Sequence, residues 1–551
     1  MSSISAPLRL RVRLFHILMS IVPHTKALHL GESVLSHQDL ILRLHRARLV
    51  RAGLRPARMM MAAPPPKLCD NGGSWYRKGH VAMVEETRSF SPALPSGIWG
   101  AGRRILTVGL VLIIVATAFE ILAVAATMPA TARDLGGLAW YGWAFSAFML
   151  ANMVAATVAG PEADRRGVAI PFIAGTLLFV AGLLIAGLAP SMLAFIVGRA
   201  VQGLGSGVIG AVVYIIVGRG YEADARPRML AIISSAWVVP GMVGPGLAGI
   251  ITEHVGWRWV FLGLIPLPIV AALMALPSLH RLAPAPGSFG INDHRARNND
   301  VQMALVLATG AAMMIGGLSW LITLPLAGVA LAVPGALITP GALRNILPSG
   351  TLRAAPGLPA VIAAMGLLNI AFFGVDAFVP LTLTSVRGLS VVTAGLALTA
   401  ATLTWTAGAW MQARLVRFHP PGSIAAAGLL VMLIGIGATT ATIVPVVPPL
   451  LSIVAWGIAG CGIGLAYSAL SLAMLQNAAQ GYEGRASSAL QIASQLGTAL
   501  GAGIGGVIIG SGEQGQTVEA ERITLHFILM SVIAGSAILT AYRIHATHRR
   551  W

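Results

Sequence analysis

Acidic side chains are scarce in this chain: nineteen Asp and Glu among 551 residues, with all charged residues together making up only 10%. Hydrophobic residues make up 56% and glycines number 64, a balance that no soluble domain of this length tolerates. The sequence reads as an all-α polytopic membrane protein. Cysteine is nearly missing. The two present, Cys69 and Cys461, lie far apart and exclude a disulfide framework or a cysteine-built zinc or iron–sulfur site. Hydrolytic signatures are missing too: there is no Gly-x-Ser-x-Gly or His-Glu-x-x-His, and "HATH" near the C-terminus has no carboxylate partner. Neither a catalytic residue nor a metal ligand is expected, which leaves an intramembrane enzyme or a receptor as weaker readings.

What is present is a series of apolar stretches, each long enough at about 1.5 Å per residue to cross a hydrocarbon core of about 30 Å. Fourteen are expected. Six lie at about 105–128, 140–159, 168–189, 192–217, 228–252 and 257–279, and a shorter pair at about 301–319 and 320–339. Six more lie at about 358–383, 392–416, 422–444, 448–475, 485–510 and 523–543. This divides the chain into a half at 105–279, a central linker at 280–357 with two extra spans, a second half at 358–543 and a tail at 544–551.

The net charge of +18 would suggest nucleic acid in a soluble protein, but here the loops absorb it. With both termini cytoplasmic, eighteen arginines fall inside and four (Arg133, Arg258, Arg387 and Arg522) outside. That is the positive-inside asymmetry of a plasma-membrane protein, and it also fixes parity: the central pair counts as two spans or none. No nucleic-acid partner is expected. Residues 1–104 stand apart. They are basic and Pro-interrupted, carry the chain's only lysines (Lys26, Lys67 and Lys78) and hold no apolar run long enough for a signal peptide or a span, so disorder is expected. Two readings remain open: an over-extended start with Met83 as initiator, or a basic arm at the membrane surface.

Inside the apolar stretch "VATAFEILAV" (115–124) sits Glu120. It and Asp376 are the carboxylates within spans and away from their ends, 256 positions apart, each on the first span of a six-span half. Each is followed by a proline (Pro129, Pro380) and by an arginine in the next outer loop (Arg133, Arg387). Such doubling is what transporters built from two homologous halves show.

Three further stretches carry a resemblance. "GPEADRRG" (160–167), between spans two and three, resembles the cytoplasmic signature loop of the major facilitator superfamily through Gly160, Ala163, Asp164, Arg165 and Gly167. Glu162 stands where that pattern has Leu, and Val168 and Ala169 replace its trailing basic residues. "GRAVQGLGSG" on span four is similar to the family's membrane arginine motif through Arg199, Gln202, Gly203 and Gly207. "WVVPGMVGPGLAG" on span five is similar to its antiporter motif through Gly244, Pro245 and Gly249, with Pro240 where Gly is usual, and "GWRWVF" (256–261) follows. The resemblance covers about 105–543. It implies the major facilitator fold, two six-helix halves with two extra central helices, and points to the fourteen-span drug:proton antiporter branch. It further implies that Asp164 docks against the other half in the outward-facing state.

The glycine runs have a plainer reading. "GSGVIG" (205–210) matches a dinucleotide fingerprint by letter, but no strand precedes it, and close helix packing is expected there and along "GTALGAGIGGVIIG" (497–510). Glu120, Arg199 and Asp376 fall at one depth, roughly 12 Å below the outer surface. A lone ionised side chain there costs roughly 2.5 kcal/mol or more, so such groups face the protein interior and find partners or a watery cavity. Glu120 and Arg199 are either a structural pair locking spans one and four or, with Asp376, the proton-coupling groups. Glu120, Asp376, Gln202 and Asn369 are the expected cavity lining. The function expected is proton-coupled export of small amphipathic or cationic compounds by a monomer in membrane lipid, with the proton gradient and no cofactor as energy source. Uptake of a polar solute by a symporter or uniporter is the alternative.

Overall fold

A computed structural model describes residues 98–545, apart from 101–102, 223–224, 281, 283–290, 322, 480–481 and 511–518. The expectations for the N-terminal tail, Met83 and the last six residues lie outside this range.

The described residues contain fourteen helices long and apolar enough to cross a membrane, so the chain is a multi-pass membrane protein. In chain order they are α1 (Arg104–Leu135), α2 (Leu138–Arg166), α3 (Ala169–Gly187), α4 (Met192–Gly220), α5 (Arg228–His254), α6 (Arg258–Leu279) and α7 (Val301–Trp320). There follow α8 (Pro325–Ile346), α9 (Leu358–Val386), α10 (Val391–Leu415), α11 (Pro421–Ala441), α12 (Leu451–Asn477), α13 (Glu483–Gly510) and α14 (Ala520–Tyr542). The architecture is the fourteen-span one, and the central pair is present as α7 and α8.

Local signals set several boundaries. Ser191 opens α4 by accepting the Ala194 N–H on its hydroxyl at 3.3 Å, and Ser390 opens α10 by accepting the Thr393 N–H at 3.1 Å. Gly167 ends α2 at φ +80°, a left-handed conformation that a side chain disfavours. α1 runs to Leu135, seven residues beyond the expected exit at Met128, because Pro129 is accommodated within the helix rather than ending it.

Alternation of direction puts the start of α1 and the end of α14 on one face, the terminal face, and the end of α1 and start of α2 on the opposite, far face. Leucines and valines such as Leu193, Leu337 and Val532 stand exposed on the outer surface. In water such a surface would aggregate, whereas against lipid tails it is matched. Helix contacts rely on glycine: Gly205 lies on Phe179, Gly207 on Asn152, Gly497 on Gly366, and Gly501 on Ile370. The glycine runs are packing faces, as expected.

Candidate functional site

Glu120 sits midway along α1 and is 2% exposed. Its carboxylate pairs with the Arg199 guanidinium of α4, equally buried. Arg199 has further contacts: Nη1 also donates to Gln202 Oε1 at 2.7 Å, Nε donates to the Ala144 carbonyl at 3.1 Å, and the guanidinium lies 4.3 Å from the centre of the Phe148 ring. One acid, one base and one amide thus bind α1 to α4 and reach α2, in a pocket closed on every side.

Asp376 has a different setting. It ends the α-helical part of α9 and is half-buried. Its Oδ1 accepts the indole N–H of Trp456, on α12, at 2.9 Å, and among the described residues no salt bridge reaches it. From Trp456 the rings form a chain. Phe372 stacks on Trp456 at 4.9 Å and meets Trp405 edge-on at 5.7 Å, and Trp405 lies 5.8 Å from Tyr467.

The structure places the four expected lining residues in different settings. Of the four residues named from sequence, Asp376 alone is partly open. Glu120 and Gln202 are enclosed in the ion pair's pocket, and Asn369 is 1% exposed, donating to the Met365 carbonyl at 2.8 Å and accepting from Ser494 at 3.0 Å so that it ties α9 to α13. Trp456 was missed, though a signal existed. It lies 257 positions after Arg199, almost the 256 that separate Asp376 from Glu120. His526, a fully buried imidazole on α14, was missed as well, because a single histidine in an apolar run shows no spacing to read.

The residues carrying the resemblance lie at the faces and seams. Asp164 pairs with Arg219 of α4, which also donates to the Ala163 carbonyl at 3.2 Å; both contacts stay within the first half. Glu162 meets Arg166 at 2.5 Å and Arg165 at 3.9 Å. Gly160 has open space around it. On α5, a methyl group at Gly249 would meet Val392 of α10 at 2.9 Å, and Gly395 of α10 rests on the Pro245 carbonyl, while Gly244 faces Phe119.

These last contacts belong to a larger pattern. Glu253 of α5 accepts the Val392 N–H at 3.0 Å, capping the start of α10 from the opposite half. Across the other seam, Ser146 of α2 donates to the Ala499 carbonyl of α13 at 2.7 Å, Gln495 donates to Asn152 at 2.8 Å, and Gly142 abuts Gly506. Helix direction places all of these between the far face and the middle of the spans. Among the described residues, the halves meet there and share no hydrogen bond nearer the terminal face.

With this geometry in hand, comparison with known proteins gives the following. The Major Facilitator Superfamily profile matches residues 108–502. A probable multidrug-efflux transporter of Mycobacterium tuberculosis is 28% identical over 441 residues, 77% of this chain and 90% of that protein. A multidrug efflux pump of Staphylococcus aureus is 30% identical over 176 residues, 32% of this chain and 39% of that one. Among solved structures, a peptide transporter of the POT family in complex with sulfate superposes with a TM-score of 0.57 at 16% identity, covering 80% of this chain and 94% of that one, a likeness of fold.

Proposed function

The chain belongs to the major facilitator superfamily, and on that premise we propose that it exports small cationic or amphipathic compounds in exchange for protons, by alternating access. It is a transporter rather than an enzyme. The terminal face is cytoplasmic, supported by the arginines gathered there (Arg103, Arg165, Arg219, Arg344, Arg414 and Arg543 among them), and the membrane is the plasma membrane. On this reading the hydrogen bonds between the halves, gathered from the middle of the spans towards the far face, hold the exterior side shut. The chain works as a monomer in lipid, with protons as its only energy source and no cofactor.

One observation carries this reading: among the described residues Asp376 is a carboxylate with a neutral donor and no cation, and that donor, Trp456, is stacked on Phe372. A ring face attracts a desolvated organic cation by about 2 kcal/mol, and the carboxylate adds charge attraction in a medium poorer than water. A cation entering from the cytoplasm binds there. After the far face opens, a proton from the exterior neutralises Asp376, the attraction falls and the cation leaves. Of the expected coupling groups Glu120, Arg199 and Asp376, this reading gives the role to Asp376. Glu120, Arg199 and Gln202 hold α1 against α4, and Asp164 serves the conformational change.

The test is proton release from detergent-purified protein on adding tetraphenylphosphonium, read with a pH indicator. Wild type and Glu120→Gln should release protons, while Asp376→Asn should not. Release retained by Asp376→Asn and lost by Glu120→Gln would return the coupling to Glu120. No release from wild type with any organic cation would end the proton-exchange reading. Reporter fusions after Leu279, at Ser319 and after Thr339 should read inside, outside and inside.

A further inference from the structure

α9 does not reach the far face as one continuous helix. It is α-helical to Asp376, changes at Ala377 and Phe378, makes a short turn at Val379–Leu381 and finishes as a π-helix at Thr382–Val386. Pro380 explains part of this, since it has no N–H to offer the Asp376 carbonyl and its ring crowds that oxygen. The Phe378 N–H turns to the Val375 carbonyl at 2.9 Å, so the Gly374 carbonyl loses its helical donor. In a membrane such a carbonyl needs another partner.

Two side chains supply donors at this break, one from each half. His526 of α14 sits with Nε2 2.8 Å from the Gly374 carbonyl, which fixes Nε2 as the protonated nitrogen. Tyr141 of α2, from the opposite half, donates its hydroxyl to the Ala377 carbonyl at 3.1 Å. Both side chains are fully buried. Phe378 lies between them, 5.1 Å from the Tyr141 ring and 5.2 Å from the His526 ring. The room for this stack comes from Gly505 of α13, where a methyl group would meet His526 Nε2 at 2.7 Å and would also strike Phe378.

We propose that Tyr141, Phe378 and His526 form a latch on the α9 break. Tyr141 is the part that releases: it bridges the halves on the far side of the midplane, so opening that face breaks its bond to Ala377 and draws it off Phe378. His526 is a positioning residue. It belongs to the same half as α9 and holds the Gly374 carbonyl in both states, so the helix end bearing Asp376 keeps its geometry while the far face opens. The inference deepens the alternating-access reading, on which it rests, by naming what holds the shut side closed.

The experiment uses the full-length protein without substrate, so that its outcome is separate from the proton-release test above. Spin labels at Arg133→Cys and Ser385→Cys, on a background with Cys69→Ser and Cys461→Ala, report the far-face separation by double electron–electron resonance. Tyr141→Phe keeps the ring and removes the hydroxyl, and should raise the ratio of wide to narrow separations roughly fivefold, the weight of one ordinary hydrogen bond. A distribution identical to that of the background protein overturns the latch. For His526, amide exchange in the peptide covering 374–386 should quicken roughly tenfold in His526→Ala and return towards wild type in His526→Gln, whose amide can donate to Gly374. Exchange in His526→Gln as fast as in His526→Ala, or wild-type exchange in both, overturns the positioning role.

Discussion

The two halves solve the same local problem with different chemistry. Each places a carboxylate on its first span and a nitrogen donor near the start of its fourth: Glu120 with Arg199 on α1 and α4, and Asp376 with Trp456 on α9 and α12. In the first half the donor is a cation, the pair is neutral overall, and it is sealed from both faces. In the second the donor is a neutral indole, so the carboxylate keeps a charge free to meet a ligand or a proton. The supporting helices differ in the same sense. α1 passes through its proline as a helix, whereas α9 breaks at Asp376. A closed ion pair on an unbroken helix suits a rigid element, and an uncompensated acid at a helix break suits one that changes state.

The comparison is broken hardest at Arg199. Removing the guanidinium leaves a carboxylate buried without a countercharge, and Arg199→Ala should lower stability by roughly 3–5 kcal/mol, read as a fall in thermal unfolding midpoint in detergent. Changing Glu120→Gln in the same protein should recover most of the loss; a single variant that melts like wild type would show that the pair contributes little. Next comes conversion of the second half to the chemistry of the first. Trp456→Arg gives Asp376 a cation of its own, so tetraphenylphosphonium efflux from vesicles should fall about a hundredfold, equivalent to about 2.7 kcal/mol, with the fold intact. Efflux that survives this change would place the binding charge elsewhere.

A smaller effect is expected where the halves touch. A methyl group at Gly142 would run into the Ala502 carbonyl and Gly506, contacts that the proposed opening of the far face would break. Gly142→Ala should disfavour the shut state by about 1–3 kcal/mol, making a cysteine placed at the buried Ser146 react faster with a membrane-impermeant maleimide. The smallest stability effect belongs to Asp164→Asn. Its pair with Arg219 is partly exposed, at 33% and 24%, so the loss should stay below about 1 kcal/mol. Turnover should nevertheless drop with binding unchanged; weakened binding would make Asp164 a purely structural residue.

Much of this was legible in one dimension. Span number follows from apolar length, the two-half plan from Glu120 and Asp376 with their trailing Pro129 and Pro380, and the tight helix faces from runs such as that at 497–510. The shared depth assigned to Glu120, Arg199 and Asp376 suggested a shared cavity, whereas the structure gives them different neighbours. Depth says how far along its helix a residue lies and nothing about which way it turns. Glu120 turns into the α1–α4 contact, Asn369 towards α13, and Asp376 towards the rings of α12 and α9. The break in α9 was half visible, since Pro380 marks it; Phe378 and its two neighbouring rings were not.

The sequence by itself determined that this is a membrane protein of fourteen spans, because burying an apolar run and leaving arginines in loops depends on composition summed along the chain, with no partner needed. Which acid has a cation as its partner was decided only by the tertiary structure. The partners that settle it lie 79 positions away for Glu120 and 80 for Asp376, and a hydrogen bond requires them within about 3 Å and correctly turned. That condition depends on how helices rotate and pack against one another, and no sum over the residues of a single helix contains it.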